Sequence, residues 1–115
     1  MSKKINYELI IGIVDRGHGD YVVEASRSAG ATGATIIYGR GTGVHEKESI
    51  LGVSIQPEKE LILILVSTEK KKSVMQSILD NTEITQEGKG ICFSLPVLDV
   101  AGINHIIKEN KEKKK

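Results

Sequence analysis

Apolar residues fall along this chain in short bursts of two kinds. Tyr7–Val14 (YELIIGIV) is apolar and β-branched and stops at Asp15-Arg16-Gly17, which reads as a strand. After the loop Gly17-His18-Gly19-Asp20 the spacing changes: Val22, Ala25 and Ala29 recur at three- and four-residue steps, one face of a helix. Asp20 is the expected N-cap, because its carboxylate can accept a bond from an orphan helical N–H, and Gly30 closes the helix. Ala34–Tyr38 (ATIIY) reads as a second strand, followed by a glycine-rich and then charged loop to Ser49. Ile50–Ile55 alternates as a strand until Pro57 interrupts it, with a turn over 56–59. Glu60–Val66 (ELILILV) is the most apolar stretch and has the length of a buried strand. Ser67 or Thr68 can cap a second helix with Glu69 in its first turn, and Val74, Met75, Ile78 and Leu79 form its apolar face. A polar loop over 81–87 leads to the last clear strand, Gly90–Leu95 (GICFSL), where Pro96 points to a sheet edge. Residues 97–107 read as a short strand plus a turn at Gly102.

The order strand–helix–strand, twice, predicts an α+β fold of the ferredoxin-like βαββαβ type: an antiparallel sheet with both helices on one face. A sheet half-exposed to water should alternate apolar and polar residues. Here the strands that hold Ile10, Ile36 and Leu63 are apolar on both faces, so the helix-free face is expected to be buried by self-association.

Composition narrows the picture. At 115 residues the chain suits one domain, expected over 1–107 with a charged tail over 108–115. Aromatics make up 3% and Trp is absent, so the core must be aliphatic. A net charge of +1 argues against a nucleic-acid partner, which calls for a strongly basic domain. Much of the positive charge lies in the tail (KENKEKKK), the pattern of a solvated end. Cys92 is the lone cysteine and lies in an apolar strand, so it is expected to be a small buried hydrophobe in a reducing compartment. Neither a signal-peptide pattern nor a bilayer-length apolar run is seen, so the cytoplasm is the expected location.

Two segments carry candidate binding chemistry. In Gly39-Arg40-Gly41-Thr42-Gly43 three alternating glycines can expose backbone N–H groups as an anion nest, with the Arg40 fork and the Thr42 hydroxyl beside them. Neither Gly-Lys-Ser/Thr nor a helix follows, which excludes the phosphate loop of nucleotide hydrolases and the dinucleotide fingerprint. Gly88-Lys89-Gly90 pairs flexible backbone with a cation. His18, His45 and His105 have no metal-site spacing. Ser, His and Asp occur without a nucleophile elbow or an acid–base pair, so no catalytic residue is assigned and the chain is expected not to be an enzyme. The Asp15-Arg16 pair is given no role.

Taken in order, ELIIGIVDRGHGDYVVEASRSAG, GATGATIIYGRGTG, ELILILVSTEKKKSVMQSIL and EGKGICFSLPV resemble the P-II nitrogen-regulatory family across residues 5–107. The resemblance implies a cytoplasmic homotrimer of ferredoxin-like subunits acting in signal transduction. It implies that ATP or ADP, as a regulatory ligand and not a required cofactor, binds in clefts between subunits where the T-loop base and the B-loop meet. Thr35 falls near the adenine place; Gly39, Arg40, Gly41 and Thr42 fall at the T-loop base; Gly88, Lys89 and Gly90 fall at the B-loop. The T-loop, as Gly43, Val44, His45, Glu46, Lys47, Glu48 and Ser49, would contact a regulated protein such as a membrane transporter or metabolic enzyme. Where the family typically has Gly-Asp-Gly-Lys, Lys89 stands at the aspartate place and Ile91 at the lysine place, so another small anion stays open beside the nucleotide. The family's basic stretch after the last strand is missing from LDVAGINHII, and the short T-loop holds no tyrosine. The competing expectation is a metal or small-anion binding module on the same trimeric fold, using His45, Glu46 and Glu48 without nucleotide sensing.

Overall fold

The computed structural model describes residues 5–42, 49–50, 53–54 and 57–103. In chain order the elements are β1 (Tyr7–Asp15), α1 (Gly19–Ser28), β2 (Thr35–Arg40), β3 (Ser49–Ile50), β4 (Val53–Ser54), β5 (Glu58–Ser67), α2 (Thr68–Asn81) and β6 (Gly90–Val97). The main sheet has the order β2-β5-β1-β6, and all its pairings are antiparallel. The two most apolar strands, β1 and β5, therefore occupy the centre, where both faces need apolar side chains. This is the expected βαββαβ architecture. Pro96 is tolerated because β6 lies at an edge.

Strand alternation sorts the side chains. On the helix face Ile10, Val14, Ile62, Ile64 and Val66 pack with Val22 and Ala25 of α1 and with Val74 and Ile78 of α2 into one buried aliphatic cluster. Cys92 packs against that cluster from β6, and burial pushes its thiol pKa up.

Among the described residues no layer covers the opposite face. The register sets Leu9 beside Leu65 and Leu95, Ile11 beside Leu63 and Phe93, and Ile13 beside Leu61 and Ile91. Ile37 and Leu95 are each 45% exposed and Ile91 is 56% exposed. A contiguous exposed apolar patch of this kind marks an interaction surface. It is also the reason for the two-sided apolar pattern of the strands.

Several local expectations change. Asp20 lies in the first turn of α1 without capping it; His18 holds the N-cap position, and its side chain accepts no cap bond. The first N–H of α1, that of Gly19, instead donates to Oε1 of Glu60 on β5 at 2.8 Å. The strand expected over 50–55 is instead the small separate hairpin β3–β4, with Ser49 opposite Ser54 and Ile50 opposite Val53. The excursion between β2 and β5 thus runs over 41–57 and contains this hairpin, a longer loop than Gly43–Ser49. Finally, α2 continues to Asn81, shortening the polar loop that follows. After β6, residues 98–103 add no strand.

The C-terminus of α1 forms as expected. Gly30, at φ 102°, donates to the Arg27 carbonyl at 3.0 Å, and Ala31 donates to the Ser26 carbonyl at 3.0 Å, the paired bonds of a Schellman ending.

Candidate functional site

One end of the sheet gathers most of the singled-out residues: the end of β1, the start of β5, the end of β2 and the start of β6. The β2–β5 register places Gly39 opposite Lys59 and Arg40 opposite Glu58. A hollow of about 420 Å³ opens there, lined by Arg16, Tyr38, Gly39, Arg40, Glu58 and Lys59. Arg16 forms an ion pair with Glu58, which raises the guanidinium pKa further, first through the hydrogen bond and then through charge. Lys59 Nζ lies 2.6 Å from Asp15 Oδ1, with the lysine side chain 12% exposed. The neighbours Asp15 and Arg16 thus pair with β5 and not with each other, pinning the β1–α1 loop to the β5 start. Among the described residues Arg40 has no ion-pair partner, so its donor fork is available. The Gly41 N–H donates to the Pro57 carbonyl at 3.1 Å, closing the base of the 41–57 excursion.

Glu60 is the buried polar group behind this hollow, 7% exposed on the helix face beside Tyr38 and Val14. Its bond to Gly19 satisfies one of the orphan donors of α1. A Cβ at position 19 would stand 2.4 Å from Glu60 Oε1, so this contact requires glycine.

At the other edge, Gly88 and Lys89 lie in the turn before β6, and Gly90 opens the strand. The Lys89 N–H donates to the Gln86 carbonyl at 3.1 Å. Gly90 takes φ 145°, and a Cβ there would come 2.6 Å from the Ile13 carbonyl oxygen. Glycine is what allows β6 to start so close to β1. The Lys89 side chain lines a second hollow of about 440 Å³ on the helix side, with His18, Tyr21, Asp80 and Glu83.

Thr35 lies apart from both. It borders a hollow of about 400 Å³ on the open face with Thr32, Leu9, Leu63, Leu65 and Ile103. Thr42 is exposed. Gly43, Val44, His45, Glu46, Lys47 and Glu48 lie outside the described residues, as does His105. Among the described residues no three acidic, histidine or cysteine groups converge to hold a metal.

One chain therefore does not bring the two glycine segments together. Gly39–Gly41 and Gly88–Gly90 flank the same end of the sheet but occupy its opposite edge strands, three strand spacings or roughly 14 Å apart. Arg16 is given no role from the sequence, and Glu58, Lys59 and Glu60 are not singled out there as site residues. The signal that could have found them is the β2–β5 pairing, which sets Arg40 against Glu58 and Gly39 against Lys59.

A family model described as "Nitrogen regulatory protein P-II" matches residues 7–109. The chain belongs to the P-II family. Among solved structures, a crystal structure of Arabidopsis thaliana PII bound to citrate is similar, with a TM-score of 0.67 and 24% identity, covering 86% of this chain and 84% of that one. At that identity the likeness bears on the fold, which it supports. No curated protein sequence matches the chain. As a P-II family member it is a signal-transduction regulator, and P-II family proteins are regulatory proteins rather than enzymes. No helix among the described residues is long and apolar enough to cross a membrane.

Proposed function

We propose that this P-II protein is a homotrimer that binds an adenine nucleotide, ATP or ADP, in clefts between subunits and signals through the 41–57 excursion. The observation that carries the reading is the apolar open face flanked by glycine-and-cation segments on both edges of the sheet. Self-association through that face removes Ile37, Ile91, Phe93 and Leu95 from water. It also gives the edge-strand segments of neighbouring subunits a way to meet, which a single chain lacks.

In such a cleft Arg40 supplies a bidentate anion fork, Gly39 and Gly41 let the backbone approach a phosphate, and Lys89 adds a second cation from the turn before β6. Thr35 borders an apolar hollow with room for a flat base. The segment 41–57 leaves the sheet directly beside Arg40, so a ligand held there can favour one arrangement of the excursion over another. The bias equals the difference in the ligand's affinity for the two arrangements. The regulated protein, a transporter or metabolic enzyme of the cytoplasm or its membrane face, would read that arrangement.

Isothermal titration calorimetry against ATP, ADP, AMP and a cyclic adenine nucleotide tests the reading. Saturable binding near one ligand per subunit, weakened by Arg40→Ala, is the expected result. Silence across the panel from a folded protein would end the nucleotide assignment and leave the small-anion alternative.

A further inference from the structure

We propose that the hollow between the start of α1 and the end of α2 is a binding site for a small zwitterion of the α-amino-acid class. The site lies on the helix side of the sheet and shares only Lys89 with the nucleotide reading. Its volume of about 440 Å³ falls in the range of small-molecule sites.

The floor is apolar. Val14 is 4% exposed, Val22 1% and Ile84 7%, so these side chains are fixed by the core. The two walls differ in sign because the helices run antiparallel: Lys70 Nζ, in the first turn of α2, donates to the carbonyl of Gly30, just past the end of α1, at 3.3 Å. The positive end of α1 and the negative end of α2 therefore face the same hollow. Lys89 precedes Gly90, which pairs with Val14 at the end of β1 that leads to α1, whereas Asp80 lies in the last turn of α2 and Glu83 just after it.

Helix stability does not account for the acidic wall. The last turn of α2 carries no basic residue, and Asp80 adds negative charge to a helix end that favours cations. Asp80 accepts a bond from Gln76 Nε2 at 2.9 Å. Among the described residues the Glu83 carboxylate and the Lys89 ammonium have no partner. Exposed charged groups of both signs, Asp80, Glu83 and Lys89, thus rim an apolar floor. His18 lines the hollow beside Asp80 and Glu83, but among the described residues no three such groups converge to hold a metal, so an organic ammonium fits the α2 wall better.

A ligand that matches this arrangement carries a carboxylate toward Lys89, an ammonium toward Asp80 and Glu83, and an apolar side chain over Val14, Val22 and Ile84. The Tyr21 ring, edge-on to His18 at 6.1 Å between centroids, covers one side. The β1–α1 loop that carries this wall is held by the Glu60–Gly19 bond, so the wall is positioned before any ligand arrives.

Calorimetry of the full chain against the individual L-amino acids tests the proposal, with ATP titrated in parallel. The expected result is saturable binding of at least one amino acid, weakened roughly tenfold by Glu83→Gln or Asp80→Asn through loss of a charge-assisted bond. The N-acetyl and methyl-ester forms of that amino acid should bind as weakly. Lys89 stays native throughout, because the nucleotide reading uses it as well, and circular dichroism checks that each variant is folded. The proposal is overturned if no amino acid binds the folded protein, or if one binds with unchanged affinity to the Asp80→Asn/Glu83→Gln double variant. An amino-acid response with ATP silence removes the nucleotide reading alone; the reverse removes this one alone.

Discussion

Replacing Glu60 by alanine should destabilise the fold by about 2 kcal/mol, although the residue belongs to no apolar cluster. The bond at risk is the 2.8 Å contact from the Gly19 N–H to Glu60 Oε1. Loss of a helix N-cap costs roughly 0.5–2 kcal/mol, and hydrogen bonds to charged groups contribute roughly 1.5–3 kcal/mol. The two descriptions cover one interaction, so they bracket the effect and do not add. Glu60→Gln keeps an oxygen acceptor and should lose about half as much. Gly19→Ala attacks the same bond from the other side, because its Cβ would lie 2.4 Å from the carboxylate oxygen. The Gly19→Ala/Glu60→Ala double variant should then lose clearly less than the sum of the singles, since both remove one contact. Urea unfolding followed by circular dichroism measures all four, at a single protein concentration because association shifts apparent stability. Glu60→Ala within about 0.5 kcal/mol of wild type, the range of ordinary surface substitutions, would refute the reasoning. So would additivity in the double variant.

Two further outcomes follow from the same geometry. Gly90→Ala should destabilise by about 1–3 kcal/mol in the same urea assay, because φ 145° and a 2.6 Å approach to the Ile13 carbonyl leave no place for a Cβ; near-neutral behaviour would show that the β6 start can shift freely. Burial raises the Cys92 thiol pKa, so alkylation by iodoacetamide at pH 8 should be slower than for a free thiol and should accelerate only at higher pH. The raised folded-state pKa contributes stability that is fully present below the unfolded thiol pKa of about 8.5 and is lost as pH rises through the folded value; urea midpoints that hold steady from pH 8 to pH 10 would contradict this.

The central strands were legible because apolar side chains on both faces leave a nearly continuous apolar run, as in Leu9–Val14 and Leu61–Val66. The open face was legible for the same reason: Phe93, Ile91 and Leu95 alternate with Cys92 and Ser94, so the apolar residues of β6 lie on the face that the helices do not cover. The capping of α1 was not legible. Its acceptor, Glu60, lies 41 residues downstream, and a local reading picks Asp20, the nearest carboxylate. The β3–β4 hairpin was misread as one strand because Ile50–Ile55 alternates equally well for one strand or two. The candidate site was legible as residue types but not as a place. Arg40 and Lys89 announced themselves through their glycines, whereas Lys59 and Arg16 matter only once the β2–β5 register and the β1–α1 loop bring them to the same end of the sheet.

The claim that the nucleotide is held between subunits is tested most directly by titrating ATP into samples of known mass. Phe93→Asp places a charge in the open apolar face, and Ile91→Glu is a second variant of the same kind should the first fail to fold. Light scattering is expected to give a trimer for the wild type and a folded monomer for the variant. Calorimetry should show saturable ATP binding only in the trimer. ATP binding of unchanged affinity to the folded monomer, or a wild type that is monomeric at the concentrations used, would contradict the account.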